Sequence, residues 1–231
     1  MRSVLQATVF LAAAVAAAPA VQADESDGSG NATYKVTITN LTRGESFTPF
    51  LVASHRPADH LLFTPGGAPS AELAALAEGG DTAPLQGVLS ADPRVHDTNT
   101  SAGLLDPGHS VTVEIQARPG ADRLSLAAML VPTNDGFVSL QNVALPDGQH
   151  DGTLTAPAYD AGSEPNDELC ASIPGPVCGG AGGSPEAGGE GFVHIHSGIH
   201  GIGDLYPNMR NWHNPVAIVH IQRVRDNEEE E

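Results

Sequence analysis

The first regular pattern in the chain is an alternation of apolar and polar residues that starts at Tyr34. In YKVTITNLT, Tyr, Val and Ile alternate with Lys and Thr, and a period of two is typical of a strand with one buried face. Gly, Pro, Asn or Asp separates most of the later runs, as expected between strands. These further extended runs are FTPFLVASH (47–55), SVTVEIQAR (110–118), LSLAAMLVPT (124–133), FVSLQNVAL (137–145), GTLTAPAYD (152–160), FVHIH (192–196) and PVAIVHIQRVR (215–225).

Helical patterning is confined to one long connection between the predicted strands. SAELAALAEGG predicts a helix that Ser70 caps and Gly79 ends, and TAPLQGVL, from Thr82, predicts a weaker and shorter one. Strands outnumber helices and do not alternate with them. The pattern therefore predicts an all-β fold, an antiparallel β-sandwich with one or two short helices, and disfavours a parallel α/β sheet.

The two ends of the chain differ in composition from the part between them. Residues 1–23 combine one early Arg, an apolar run and small residues before Ala23, which predicts a secretory signal peptide cleaved after Ala23. We expect a flexible leader at 24–33, one sandwich domain at 34–225 and a solvated acidic tail at 226–231. No later segment approaches about 18 uninterrupted apolar residues. The expected product is a soluble protein that is secreted, periplasmic or at the cell surface.

The charge balance limits the classes of partner. The chain has 28 acidic and 10 basic residues, for a net charge of -18. Without a basic patch it cannot release counterions from phosphates, which argues against nucleic acid and anionic membranes. Cations are the natural partners, although an acidic surface can also serve solubility alone. In an exported chain the two cysteines, Cys170 and Cys178, are expected to form a disulfide.

Acidic residues concentrate in two segments, TNDGF and YDAGSE. Asp135 lies in the first, and Asp160 and Glu164 flank a Gly in the second. Calcium takes six to eight oxygen ligands, and loops between sandwich strands can bring carboxylates together. The spacing does not match an EF-hand. The two segments can therefore form a calcium site or simply be acidic turns.

A second group of candidate ligands is the histidine-rich segment HIHSGIH. His194 and His196 are two residues apart and project from one face of a strand, and His200 can return from the following turn. Imidazoles suit zinc, copper or nickel better than calcium. The alternative is that these histidines line a loop. The segment therefore allows a Zn²⁺ or Cu²⁺ protein, or a metalloenzyme with an open coordination position for water.

The order of these segments resembles that of the spondin N-terminal domain family, in particular its exported bacterial members. The most specific resemblance is the pair PTNDGFV and AYDAGSE in that order; the stretches YKVTITNLT, FTPFLVASH, SAELAALAEGGD, DRLSLAAMLVPTNDGFVSL and NPVAIVHIQRV also match. The resemblance implies a C2-like sandwich in which two loops hold calcium. The acidic positions of that family fall on Asp135, Asp160 and Glu164. Glu164 is one methylene longer than the Asp of animal spondins.

The resemblance assigns no role to the histidine segment and names no partner. Asp167 and Glu168 are expected to form a spare outer set of acids near the ion. G-x-S-x-G, H-E-x-x-H, C-x-x-C and P-loop signatures are missing, which weakens an enzymatic interpretation. The leading hypothesis is therefore an exported, non-enzymatic, calcium-binding sandwich for surface adhesion or for interaction with an extracellular protein or surface ligand. A domain without any metal is the remaining alternative.

Overall fold

The computed structural model describes residues 30–183 and 188–225. The expected signal peptide with its cleavage after Ala23, most of the leader and the acidic tail lie outside these residues. The first strand begins at Ala32, two residues before the start of the predicted alternation at Tyr34.

Eleven strands and four short helices make up the described part of the chain. The strands are β1 (Ala32–Asn40), β2 (Ser46–Phe47), β3 (Leu51–His55), β4 (Val95–Thr100), β5 (Ser110–Ala117), β6 (Arg123–Val131), β7 (Gly136–Ala144), β8 (Gly152–Ala156), β9 (Ala158–Asp160), β10 (His194–Ile195) and β11 (Ala217–Arg223). The helices are α1 (Ala71–Gly79), α2 (Ala83–Ala91), α3 (Gly175–Cys178) and α4 (Pro207–Arg210).

The strands form two antiparallel sheets. One has the order β5-β1-β11-β8, and the seven-stranded one has the order β10-β9-β7-β6-β3-β4, with β2 also paired to β6. Apolar side chains of both sheets meet in one buried cluster, which includes Val36 and Val219 from the first sheet and Val52 and Leu126 from the second. The predicted all-β sandwich is confirmed.

The burial of each strand follows its sequence pattern. β1 alternates between buried and half-buried positions, as a strand with one face toward the core should. β6 is buried at nearly every position, because Leu126 packs into the inter-sheet core while Ala127 packs into a second cluster with Leu73 and Leu76 of α1. The helical connection thus covers the outer face of the larger sheet. Ser70 caps α1 by accepting a hydrogen bond from the backbone N–H of Leu73, and the left-handed residue that ends the helix is Gly80, one position after the Gly79 we expected.

Three extended runs differ from their predicted form. FTPFLVASH begins with the last residue of β2 and ends with β3, so it is not one strand. GTLTAPAYD breaks at Pro157, after which the chain leaves the four-stranded sheet as β8 and enters the seven-stranded sheet as β9. Proline has no N–H to donate to a ladder, so it suits such a break. FVHIH contributes only the two residues of β10.

Cys170 and Cys178 form the expected disulfide, which closes the loop that contains α3. In the part of the chain that the structure describes, no helix has the length and apolar character needed to cross a membrane.

Candidate metal site

Two turns lie side by side where β7 begins and β9 ends. Asp160, the last residue of β9, is paired with Gly136, the first residue of β7, so Asp135 immediately precedes the pair. The carboxylate Oδ2 of Asp135 accepts hydrogen bonds from the backbone N–H groups of Ser163, at 2.7 Å, and Glu164, at 3.0 Å. The DGF and DAGSE turns are therefore joined through the side chain of Asp135.

Glycine is required at two positions around these turns. A Cβ atom at Gly136 would lie 2.7 Å from Thr133 Oγ1 and 2.9 Å from His196 Cδ2. Gly162 has a φ of +68°, and a Cβ there would collide with the backbone of Phe192. The absence of side chains lets His196 and Phe192 approach the two turns closely.

Asp135 and Asp160 are fully buried and close enough to repel each other. Burial, with repulsion from Asp160, raises the pKa of Asp135 to about 7. Burial also raises the pKa of Asp160, although hydrogen bonds from Asn166 Nδ2, at 2.7 Å, and the Gly162 N–H, at 2.8 Å, favour its ionised form. Asp135 Oδ1 accepts no hydrogen bond from any described residue. Such a pair is unfavourable unless protons or a cation neutralise it.

His194 and Glu190 approach Asp160 from the neighbouring segment. β10 pairs with β9 so that His194 lies opposite Asp160. His194 Nε2 lies 3.6 Å from Asp160 Oδ1 and 3.8 Å from Glu190 Oε2. One ligand atom from each of Asp160, Glu190 and His194 lies within 4.8 Å of the other two. This grouping has the composition of a mixed nitrogen and oxygen metal site.

The sequence analysis did not select Glu190, which lies in the glycine-rich segment GGAGGSPEAGGEG (179–191), a composition typical of a loop. The only available signal was its position four residues before His194, within a segment already rich in candidate ligands.

His194 and His196 differ in which ring nitrogen carries the proton and which one offers a lone pair. His194 Nδ1 lies 3.0 Å from the carbonyl oxygen of Ile195. Since a carbonyl only accepts hydrogen bonds, Nδ1 carries the proton and Nε2 of the neutral ring presents a lone pair. His196 has the opposite tautomer, because its Nδ1 accepts a hydrogen bond from the Gly198 N–H at 3.0 Å.

His196 is therefore a poor metal ligand in this arrangement. Its Nε2 bears the proton, lies 3.9 Å from Asp160 Oδ2 and has no hydrogen-bond partner among the described residues. The ring packs against Trp212, with ring centroids 4.9 Å apart. Burial lowers the pKa of His196 to about 3, so the ring stays neutral.

His200 lies apart from this group. Its side chain is 54 % exposed, and its Nδ1 is 3.9 Å from Glu168 Oε1. Glu168 in turn accepts hydrogen bonds from the backbone N–H groups of His200, Gly201 and Ile202. The three predicted histidines thus do not converge on one point, and Glu168 anchors the loop that follows His196.

The other predicted acids have different surroundings. Asp167 Oδ1 accepts hydrogen bonds from Asn134 Nδ2 and from the Leu169 N–H, so this carboxylate orders its own loop. Glu164 is buried and its backbone N–H binds Asp135. Its carboxylate is directed toward the glycine-rich segment, where a Cβ at Gly183 would lie 3.8 Å from Glu164 Oε1 and 3.6 Å from Glu78 Oε2.

No protein-family model matches the chain, and no curated protein matches it. The resemblance to spondin domains accordingly rests on the sequence motifs themselves, above all PTNDGFV and AYDAGSE.

Proposed function

We propose that this chain is a non-enzymatic β-sandwich domain that binds calcium beside its DGF and DAGSE turns and acts outside the cytoplasm in surface adhesion or protein interaction. One observation carries the cation-binding part. Asp135 Oδ1 is buried next to the carboxylate of Asp160 and accepts no hydrogen bond from the described residues. A hard divalent cation satisfies such an oxygen and removes the repulsion between the two carboxylates.

The residues present fit calcium in chemistry. Asp135 and Asp160 would be its central ligands, because both are buried oxygen donors in adjoining turns. Glu164 would contribute through its longer side chain, in keeping with the spondin resemblance. Bound calcium would supply the charge that holds the two turns together.

Two further features support action outside the cytoplasm and interaction with a partner. The Cys170–Cys178 disulfide is compatible with an oxidising compartment. Large apolar side chains are exposed in the part of the chain that carries the histidines, and exposed apolar side chains that form one contiguous patch mark an interaction site. These side chains are Phe192, Ile195, Ile202, Tyr206 and Met209.

The test of cation binding is calorimetry and thermal unfolding of the purified full chain after chelator treatment. Calcium should bind with measurable heat and raise the melting temperature, since a ligand of the native state stabilises that state by mass action. Asp151→Asn is the matched control, because Asp151 is an exposed acid that contacts His220 and not these turns. The absence of heat and of a thermal shift at millimolar calcium would refute the proposal.

Export is tested separately. Cell fractionation should find the intact protein outside the cytoplasm and a variant lacking residues 1–23 inside it. Equal distribution of both forms would contradict this part of the proposal.

A metalloenzyme built on His194, His196 and His200 is not proposed. Among the described residues, the group of potential ligand atoms within 4.8 Å of one another includes His194 but not His200, and His196 presents a protonated Nε2.

A further inference from the structure

We propose that Asp160, Glu190 and His194 form a second cation site, which takes a transition-metal ion of the zinc class. The ligand atoms are Asp160 Oδ1, Glu190 Oε2 and His194 Nε2. This inference goes beyond the calcium proposal, with which it shares Asp160 alone.

The donor set selects the class of ion. Calcium and magnesium take oxygen ligands, whereas an imidazole nitrogen suits zinc and its neighbours in the first transition row. Of the three histidines in this segment, His194 is the one whose Nε2 lone pair faces two carboxylates. Zinc accepts both His nitrogen and Asp or Glu oxygen as ligands.

The distances between the ligand atoms are slightly longer than those around such an ion. Bonds of about 2.0–2.1 Å in a tetrahedron place ligand atoms about 3.3 Å apart. His194 Nε2 is 3.6 Å from Asp160 Oδ1 and 3.8 Å from Glu190 Oε2. A small inward rotation of Glu190, whose side chain is 38 % exposed, would shorten the longer of the two distances.

The surroundings already orient each ligand as supporting groups around metal sites do. The Ile195 carbonyl accepts the Nδ1 proton of His194, which fixes the tautomer and the plane of the ring. Asn166 Nδ2 donates to Asp160 Oδ2 at 2.7 Å and to Glu190 Oε1 at 3.2 Å, so one amide positions two of the three ligands.

An independent observation points to the same place. His196 Nε2 is buried, carries a proton and has no hydrogen-bond partner among the residues described, yet it is directed at Asp160 Oδ2 from 3.9 Å. A slight shift of Asp160 on metal binding would bring this donor within hydrogen-bond distance. The buried donor is therefore poised to support a ligating carboxylate.

The ion would fasten the glycine-rich segment to the DAGSE turn. That attachment now depends on backbone contacts such as the hydrogen bond from the Gly191 N–H to the Gly162 carbonyl, at 2.8 Å. A metal bridge from Asp160 to Glu190 and His194 would add a cross-link between the two segments.

The test titrates Zn²⁺ into the metal-free full chain and follows binding by calorimetry, with imidazole ¹⁵N spectra as the second readout. We expect one equivalent of zinc to bind and to shift Nε2 of His194 more than its Nδ1. His194→Gln and Glu190→Gln should each weaken zinc binding at least tenfold. The matched control is His220→Gln, which removes another histidine–carboxylate pair, His220 Nε2 to Asp151 Oδ2 at 3.4 Å, and should leave zinc binding unchanged.

Two results would overturn this site. One is zinc affinity that His194→Gln and Glu190→Gln leave unchanged; the other is zinc affinity that His220→Gln lowers as much as they do, which means adventitious surface binding. Because Glu190 is partly exposed, its variant keeps the test valid if His194→Gln does not fold. The same two variants should keep wild-type calcium affinity. A wild-type chain that binds zinc but not calcium would refute the calcium proposal alone.

Discussion

Buried carboxyl groups occur in two regions of this protein with opposite surroundings. At the DGF and DAGSE turns, Asp135 accepts hydrogen bonds from two backbone N–H groups, and Asp160 accepts from Asn166 and Gly162. Glu45, just before β2, is equally buried, but neither oxygen of its carboxyl group has a hydrogen-bond partner among the described residues.

The difference indicates how each region is neutralised. Donors to a carboxylate favour its charged form, so the turn acids are prepared for a cation. Burial raises the pKa of Asp135 as well, to about 7, but there the donors act against it. Glu45 has no such donors, and burial raises its pKa to about 8 against an opposing effect of the Arg210 charge, so this group binds a proton at neutral pH. An isolated acid can accept a proton, whereas several acids held together by donors remain a site for a metal ion.

The largest expected effect comes from Glu45→Gln at alkaline pH. The pKa of Glu45 rises from 4.5 in the unfolded chain to about 8 in the folded protein, so the folded state binds more protons between these values and loses stability as pH increases through them. The variant lacks this penalty. It should be close to wild type below pH 4.5 and more stable by a few kcal/mol, with about 5 kcal/mol as the upper limit, above pH 8.

Urea denaturation at pH 4.5 and pH 9 measures this change. Glu114→Gln on the exposed face of β5 is the control and should not alter the pH profile of the wild type. A gain from Glu45→Gln that is equal at both pH values would show that Glu45 does not titrate in this window.

The next effect perturbs the metal region without changing its charge. Gly136→Ala should lower the free energy of unfolding by about 1–3 kcal/mol, because the new methyl group meets Thr133 Oγ1 and His196 Cδ2. Gly87→Ala inside α2 is the control, since a Cβ there meets no atom within 4 Å, and it should stabilise by about 0.5–1 kcal/mol. Equal effects of the two variants in urea denaturation would contradict the close approach of His196 to β7.

Asp160→Asn should distinguish the metal region from Glu45, because its effect on stability should depend on calcium. Loss of a central ligand is expected to weaken calcium affinity at least tenfold, about 1.4 kcal/mol, and Asp135→Asn should do the same. Without metal, both variants should be slightly more stable than wild type, because like-charge repulsion is relieved. Calorimetry and thermal unfolding with and without calcium measure both signs. Glu45→Gln should change the stability by the same amount with and without calcium. Unchanged calcium affinity in Asp160→Asn would refute the calcium site.

The smallest expected effect is that of Glu164→Gln on calcium affinity, less than tenfold, because the Glu164 carboxylate is directed toward Gly183. Asp167→Asn and Glu168→Gln should leave calcium affinity unchanged, since both carboxylates already accept hydrogen bonds within their own loops. Glu168→Gln should act on the free energy of unfolding instead. Side-by-side calcium titrations test this ranking, and a Glu164→Gln effect larger than that of Asp160→Asn would reverse it.

The sequence by itself determined the fold class and most of the strands. Alternation predicted β1, and the long apolar run predicted β6, because burial on one or both faces of a strand dictates which positions are apolar. It did not predict β4, whose sequence VHDTNT is polar. This strand lies at the edge of its sheet, where little apolar surface is buried and the pattern is correspondingly weak.

For the candidate site, the sequence selected Asp135, Asp160 and His194, but only the tertiary structure decided which groups face each other. The pairing of β9 with β7 and β10 places these residues together across long separations in the chain. The tertiary structure also added Glu190 and separated His200 from the group. A residue's type limits the ligands it can offer, whereas its tautomer and direction depend on the carbonyl or N–H group beside it, and folding alone brings those groups into contact.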